Sequence, residues 1–145
     1  MMARAVSVAG ALLVLLAIIQ FVPVQKSNPP SGAEIDAPLE VKQVFRRACY
    51  DCHSTETLWP WYSSVAPVSW LVARDVREGR VQVNFTAWKA MDSEKEAELI
   101  GEIWEEVEDG EMPPWFYRWA HRESRITDRE KALIRQWSKS RTKKS

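Results

Sequence analysis

Five residues constrain this chain more than any others: Cys49-Tyr50-Asp51-Cys52-His53 holds both of its cysteines and one of its two histidines. Cys-x-x-Cys-His is the spacing of a c-type haem attachment site. The chemistry requires that spacing. Two thiols three positions apart on a helical turn can each add to one vinyl group of the same porphyrin, and the adjacent imidazole then lies under the iron. The competing readings are a redox dithiol, a structural disulfide or half of a zinc site. A dithiol motif needs no histidine and usually follows a strand in a βαβ pattern, which is missing here. A zinc site needs a second ligand pair, and only His121 remains to contribute.

At 145 residues the chain can form one domain with its own core plus a short appendage. Twenty basic and twenty acidic side chains give a formal charge of zero, so nothing points to nucleic acid as a partner. Eight tryptophans suit a protein that must wrap a flat aromatic cofactor. Residues 6–22 form an apolar run with no charge, 22 − 6 + 1 = 17 residues long. That is the lower limit for crossing a bilayer and slightly longer than the core of a signal peptide. No small-residue cleavage site follows closely, which favours an uncleaved signal-anchor over a removed signal peptide for residues 1–25. Residues 26–36, with Pro29-Pro30 and Ser31-Gly32, read as a linker that lifts a domain at 37–140 off the membrane; 141–145 is a basic tail.

Within the domain, Val41, Val44, Phe45 and Ala48 form one helical stripe running into Cys49, with Pro38 in the first turn and Asp36 or Ala37 as cap. Val68, Leu71, Val72 and Val76 predict a second helix, opened by Pro67 and capped by Gly79. Val81, Val83 and Phe85 read as an extended connector. Residues 84–88 then turn back over the haem edge. Ser93 and Glu96 make a capping box for a third helix ending at Gly110, with Glu98, Glu102, Glu105, Glu106 and Glu108 on its outer face. Those carboxylates are a solvated face or a docking patch for a basic partner. Thr127 and Glu130 open the last helix, which carries Leu133, Ile134 and Trp137.

The second axial position of an iron held by His53 separates an electron carrier from a catalyst or gas binder. Met112 is the strongest candidate, because Gly110-Glu111-Met112-Pro113-Pro114 follows a helix end and its prolines hold the loop rigid. Met91 lacks such a loop. His121 is the rival, or else a histidine that bonds a propionate or the backbone. Trp59, Trp61 and Tyr62 flank a proline and are candidate walls of the haem pocket, or plain core.

Together these strings resemble the bacterial haem-binding domain family of small monohaem c-type cytochromes. They are Phe21-Val22-Pro23-Val24, Asn28-Pro29-Pro30, the haem motif with Ala48 and Ser54, Trp59-Pro60-Trp61-Tyr62, Ala66-Pro67-Val68-Ser69-Trp70, Glu78-Gly79-Arg80 and Glu111-Met112-Pro113-Pro114. Where many relatives have His-Pro after the Met-Pro loop, this chain has His121-Arg122. The resemblance implies thioether links at Cys49 and Cys52, His53 as proximal ligand and Met112 as distal ligand of one haem c. The expected architecture is all-α and cytochrome c-like, around one covalent haem and preceded by a membrane helix. The expected role is electron transfer between redox partner proteins by a domain at the periplasmic face of the inner membrane. No general base, nucleophile or substrate pocket is legible, so no enzyme is expected. A haem-based sensor or peroxidase-like enzyme with a displaceable Met112 is the alternative, and a redox module docking through the Glu-rich helix is a third.

Overall fold

Helical periodicity in the sequence emerges as helices throughout the computed structural model, which describes residues 2–88 and 92–142. Met91 and residues 143–145 of the basic tail lie outside the described residues. Among the described residues seven α-helices follow one another: α1 (Met2–Ile19), α2 (Leu39–Ala48), α3 (Tyr50–His53), α4 (Val68–Gln82), α5 (Ser93–Asp109), α6 (Trp115–Ala120) and α7 (Asp128–Thr142). Short 3-10 turns occupy Trp61–Ser64 and Arg122–Ser124, and no strand occurs among the described residues. Among those residues no helix is long and apolar enough to cross a membrane. Along α1 the side chains from Val6 to Ile18 are all exposed, including six leucines and valines at positions 8 and 12–16.

The domain core lies between α2, α5 and α7. Val41, Val44, Phe45 and Ala48 of α2 are all buried, as their spacing requires. Phe45 stacks on Phe85 at 4.8 Å and meets the edge of Trp137 at 5.5 Å, while Ile100 and Ile134 are fully buried beside them. Each such side chain contributes about 1.5–3 kcal/mol on burial. The last helix starts as expected: Thr127 N–H donates to Glu130 Oε2 at 2.8 Å, and Glu130 N–H donates to Thr127 Oγ1 at 3.3 Å. Glu130 also accepts from Arg47 at 2.8 Å and so ties α7 to α2. Gly110 ends α5 in the left-handed conformation at φ 79°, which favours a residue without Cβ.

Several local expectations are corrected. The cap of α5 is Asp92, whose carboxylate accepts from Lys95 N–H at 2.9 Å; Ser93 is the first helical residue, and Glu96 instead accepts from Trp88 Nε1 and Arg141. Gly79 does not end α4, which runs on through Val81 to Gln82. Its lack of a side chain serves close packing, described below. Val68 and Leu71 are 41% and 54% exposed, because α4 buries the stripe Ser69, Val76 and Gly79 instead. Phe85 and Trp88 are buried in the domain core.

Residues 26–36 do not stand free as a spacer. Gly32 N–H donates to Thr86 O, Ile35 N–H to Phe85 O and Trp88 N–H to Ala33 O, at 2.7, 2.8 and 2.8 Å. Ile35 is completely buried, and Asn28 donates to Thr57 O at 2.9 Å. The two prolines hold this strap extended, which exposes its backbone N–H and carbonyl groups for pairing with the loop after α4.

Candidate functional site

The haem motif begins where α2 stops. Cys49 leaves helical geometry at φ −126°, and its carbonyl then accepts from both Cys52 N–H at 3.1 Å and His53 N–H at 2.9 Å. That single turn, α3, keeps positions three apart on one side. Tyr50 points the other way: it is buried, stacks on Phe85 at 5.6 Å and donates its hydroxyl to Glu34 at 2.8 Å. The buried tyrosine thereby sets the rotation of the turn and leaves Cys49, Cys52 and His53 in the wall of a cleft.

The cleft has a volume of about 680 Å³, in the range of small-molecule and cofactor sites. Val83, Phe85, Ile103, Val107, Met112 and Phe116 provide its apolar surface. His53 and Met112, which are 112 − 53 = 59 positions apart, line the same space. Met112 is half-buried and pinned by its N–H to Glu106 O at 3.0 Å, and Pro113 beside it is buried.

The imidazole of His53 has a defined tautomer. Nδ1 lies 3.0 Å from Gly79 O and 3.3 Å from Val83 O, and both carbonyls can only accept. Nδ1 therefore carries the proton and Nε2 the lone pair, the arrangement of a metal-binding imidazole held by a backbone acceptor. Burial lowers its pKa against the smaller opposing effect of the Val83 and Gly79 carbonyls, so the ring is neutral near pH 7. Gly79 is needed for this approach: a Cβ there would lie 2.8 Å from Cys52 O and 3.3 Å from Cys52 Cβ.

Both cysteines are free. Burial first, then the neighbouring Cys52, pushes the Cys49 thiol up to about 12; burial, then Asp51 and Asp75, does the same for Cys52. Neither is a thiolate at neutral pH, which argues against a reactive dithiol. Among the described residues no group of three or more His, Cys, Asp or Glu is disposed to hold a metal ion.

Trp59, Trp61 and Tyr62 do not line the cleft; Phe85, Phe116 and Tyr117 are its aromatic walls. The proline before the 3-10 turn directs Trp61 outward, where it is 80% exposed. His121 is also outside the cleft. Its Nε2 pairs with Tyr62 Oη at 2.6 Å, its Nδ1 with Glu123 at 3.3 Å, and its ring stacks on Tyr117 at 4.3 Å. A ring protonated on Nδ1 satisfies both partners. Tyr117 in turn donates to Asp51 Oδ2 at 2.7 Å, while Asp51 Oδ1 accepts from Leu58 N–H. His121 thus supports the motif from behind through Tyr117 and Asp51.

Three contributors escaped the reading of the sequence: Gly79, Tyr117 and Arg80. Arg80 donates to Ser54 O, Ser27 O, Asn28 Oδ1 and Thr57 Oγ1, stitching the strap to the segment after His53. Only the Glu78-Gly79-Arg80 string hinted at it. The cleft's lining includes the carboxylates Asp51, Asp75, Glu78, Glu102, Glu105 and Glu106 and, among the described residues, no lysine or arginine. A second cavity of about 520 Å³ shares Met112 and Pro113 as its wall, and there Arg118, Arg125 and Lys131 supply positive charge.

A family model described as a haem-binding domain matches residues 14–140 of the chain. Comparison with curated proteins and with solved structures gives no match.

Proposed function

The chain belongs to the haem-binding domain family, and from that premise we propose that it is a membrane-tethered, periplasmic monohaem c-type cytochrome that carries electrons and is not an enzyme. The observation that carries this reading is one cleft lined by Cys49, Cys52, His53 and Met112, with the His53 lone pair assigned to Nε2. These residues fit a haem that Cys49 and Cys52 would hold through thioethers and whose iron His53 and Met112 would ligate. Bound there, the haem supplies a one-electron Fe(III)/Fe(II) couple.

The protein's own part is to hold and shield. The Gly79 and Val83 carbonyls orient the imidazole, and the Pro113 loop presents the thioether, which raises the reduction potential relative to a second histidine. Val83, Ile103 and Val107 would shield a bound haem from water, with the half-exposed Phe116 at the edge of the cleft. The carboxylate rim favours a basic redox partner, steered by opposite charge. Arg118, Arg125 and Lys131 beyond the Met112 wall are the candidate counter-charges for the haem propionates.

Tethering is supported by α1, whose side chains are exposed from Val6 to Ile18 within an apolar run of 17 residues. Covalent haem attachment in an oxidising compartment gives the orientation, with the domain outside.

The test is the absorption spectrum of the haem-loaded full chain. A methionine–iron charge-transfer band in the oxidised state, lost in Met112→Ala, is expected. A high-spin wild type, or ready carbon monoxide binding by the reduced protein, would instead favour a haem sensor or peroxidase-like enzyme. Retention of the band in Met112→Ala would exclude Met112 as the ligand.

A further inference from the structure

The end of α1 is fastened to the domain, and the fastening point sits beside an unpartnered apolar surface. Gln20 Nε2 donates to Ala66 O at 3.1 Å, and Ala66 N–H donates back to Gln20 Oε1 at 2.9 Å. Lys26 Nζ adds a bond to Ser64 Oγ at 2.7 Å. This two-point amide pair joins the residue that follows α1 to the segment that leads into α4. Around Ala66, Trp61 is 80% exposed, Val65 44%, Val68 41% and Leu71 54%, and Phe21 next to Gln20 is 87% exposed. Val68 and Leu71 are the two exposed members of the predicted α4 stripe, Val72 being half-buried and Val76 buried.

From this juxtaposition we propose that the surface formed by Phe21, Trp61, Val65, Val68 and Leu71 lies in the headgroup boundary of the membrane that holds α1, so that the haem domain is docked flat on lipid and not held above it. The inference rests on the tethering proposed above. Its chemistry is that of an interfacial surface: tryptophan with its polar edge, aliphatic side chains and a basic flank at Lys26, while Arg74 at the far edge is paired with Asp75 at 3.5 Å and Glu78 at 3.6 Å. From Thr57 to Arg74 the sequence has no acidic residue, although the chain holds 20, and none occurs from Met1 to Ala33. An anionic phospholipid surface would repel carboxylates in such segments. The apolar run of 17 residues is short for a bilayer, which draws its flanks toward the lipid, and residues 28–35 are bound to the domain and provide no free spacer.

The experiment uses the haem-loaded full chain in phosphatidylcholine–phosphatidylglycerol vesicles containing a phospholipid with a photoactivatable diazirine near the headgroup. After illumination, lipid adducts are mapped by mass spectrometry. Adducts are expected in 58–72 and not on the α5 face at 98–108. The exposed-site variant Trp61→Glu/Leu71→Glu should still float with the vesicles but lose labelling of 58–72 by about tenfold. Flotation without adducts in 58–72 overturns the docking and leaves the tether standing. Failure to float overturns both. Cross-linking of 58–72 to a second copy of the chain in place of lipid assigns the surface to a dimer and also overturns the proposal.

Discussion

Gly79→Ala and Gly101→Ala make the same chemical change at two interior helical positions with opposite expected results. A glycine inside a helix is less favourable than alanine by about 1 kcal/mol, so both variants gain that amount from the backbone. At Gly101 a Cβ meets nothing within 4 Å, and the gain should stand. At Gly79 the Cβ would sit 2.8 Å from Cys52 O, 3.2 Å from Cys52 C and 3.3 Å from Cys52 Cβ. Two of those atoms are backbone, so no flexible side chain can yield, and overpacking of this kind costs about 1–3 kcal/mol. The backbone gain cancels in the comparison, leaving Gly79→Ala less stable than Gly101→Ala by about 1–3 kcal/mol. For a domain near 100 residues that is a difference in Tm of roughly 4–15 °C. Thermal unfolding of both variants by circular dichroism measures the gap. Pyridine haemochrome yield should also fall in Gly79→Ala alone, since Cys52 and the acceptor of His53 Nδ1 both move. Equal Tm and equal haem yield for the two variants would refute the argument that Gly79 is glycine because the motif packs on it.

Arg80→Ala removes four hydrogen bonds that join residues 27 and 28 to Ser54 and Thr57, and should cost roughly 2–3 kcal/mol in urea titration, with Arg80→Lys recovering little. A loss below about 0.5 kcal/mol would mean the strap holds without it. The Tyr50 hydroxyl, opposed by burial and helped by Lys42 and Arg46, keeps the Glu34 carboxyl below its ordinary pKa. A depressed folded-state pKa stabilises the fold above the unfolded value, near pH 4.3, and the contribution is lost as pH falls through the lowered one. Glu34→Gln should therefore be less stable at neutral pH and show a flatter decline across that acid window; identical acid slopes for the two proteins would exclude the linkage.

Much of the domain was legible because its information is local. The stripe Val41, Val44, Phe45 and Ala48 predicts α2 and its buried face, Thr127 and Glu130 predict the start of α7, and Gly110 predicts the end of α5. The motif itself is equally local, since Cys49, Cys52 and His53 lie within one helical turn whose geometry any helix supplies. Their chemistry, and the candidacy of Met112 after a glycine-ended helix and before two prolines, follow from residue type and spacing alone.

What only the tertiary structure decided depends on pairs distant in the chain. The reading of Gly79 as a cap failed because its reason for being glycine is Cys52, 27 positions earlier, and no local pattern records that approach. Trp61 and Phe116 are both aromatic beside a proline or a short helix, yet only Phe116 lines the cleft, because the rotation of each element is set by what it packs against. The same dependence turned His121 from a rival ligand into a support behind Asp51, and turned residues 26–36 from a spacer into a bound strap. Side-chain periodicity specifies which residues share a face; which face meets which is a property of the packed chain, where hydrogen bonds and contacts between remote segments select one arrangement.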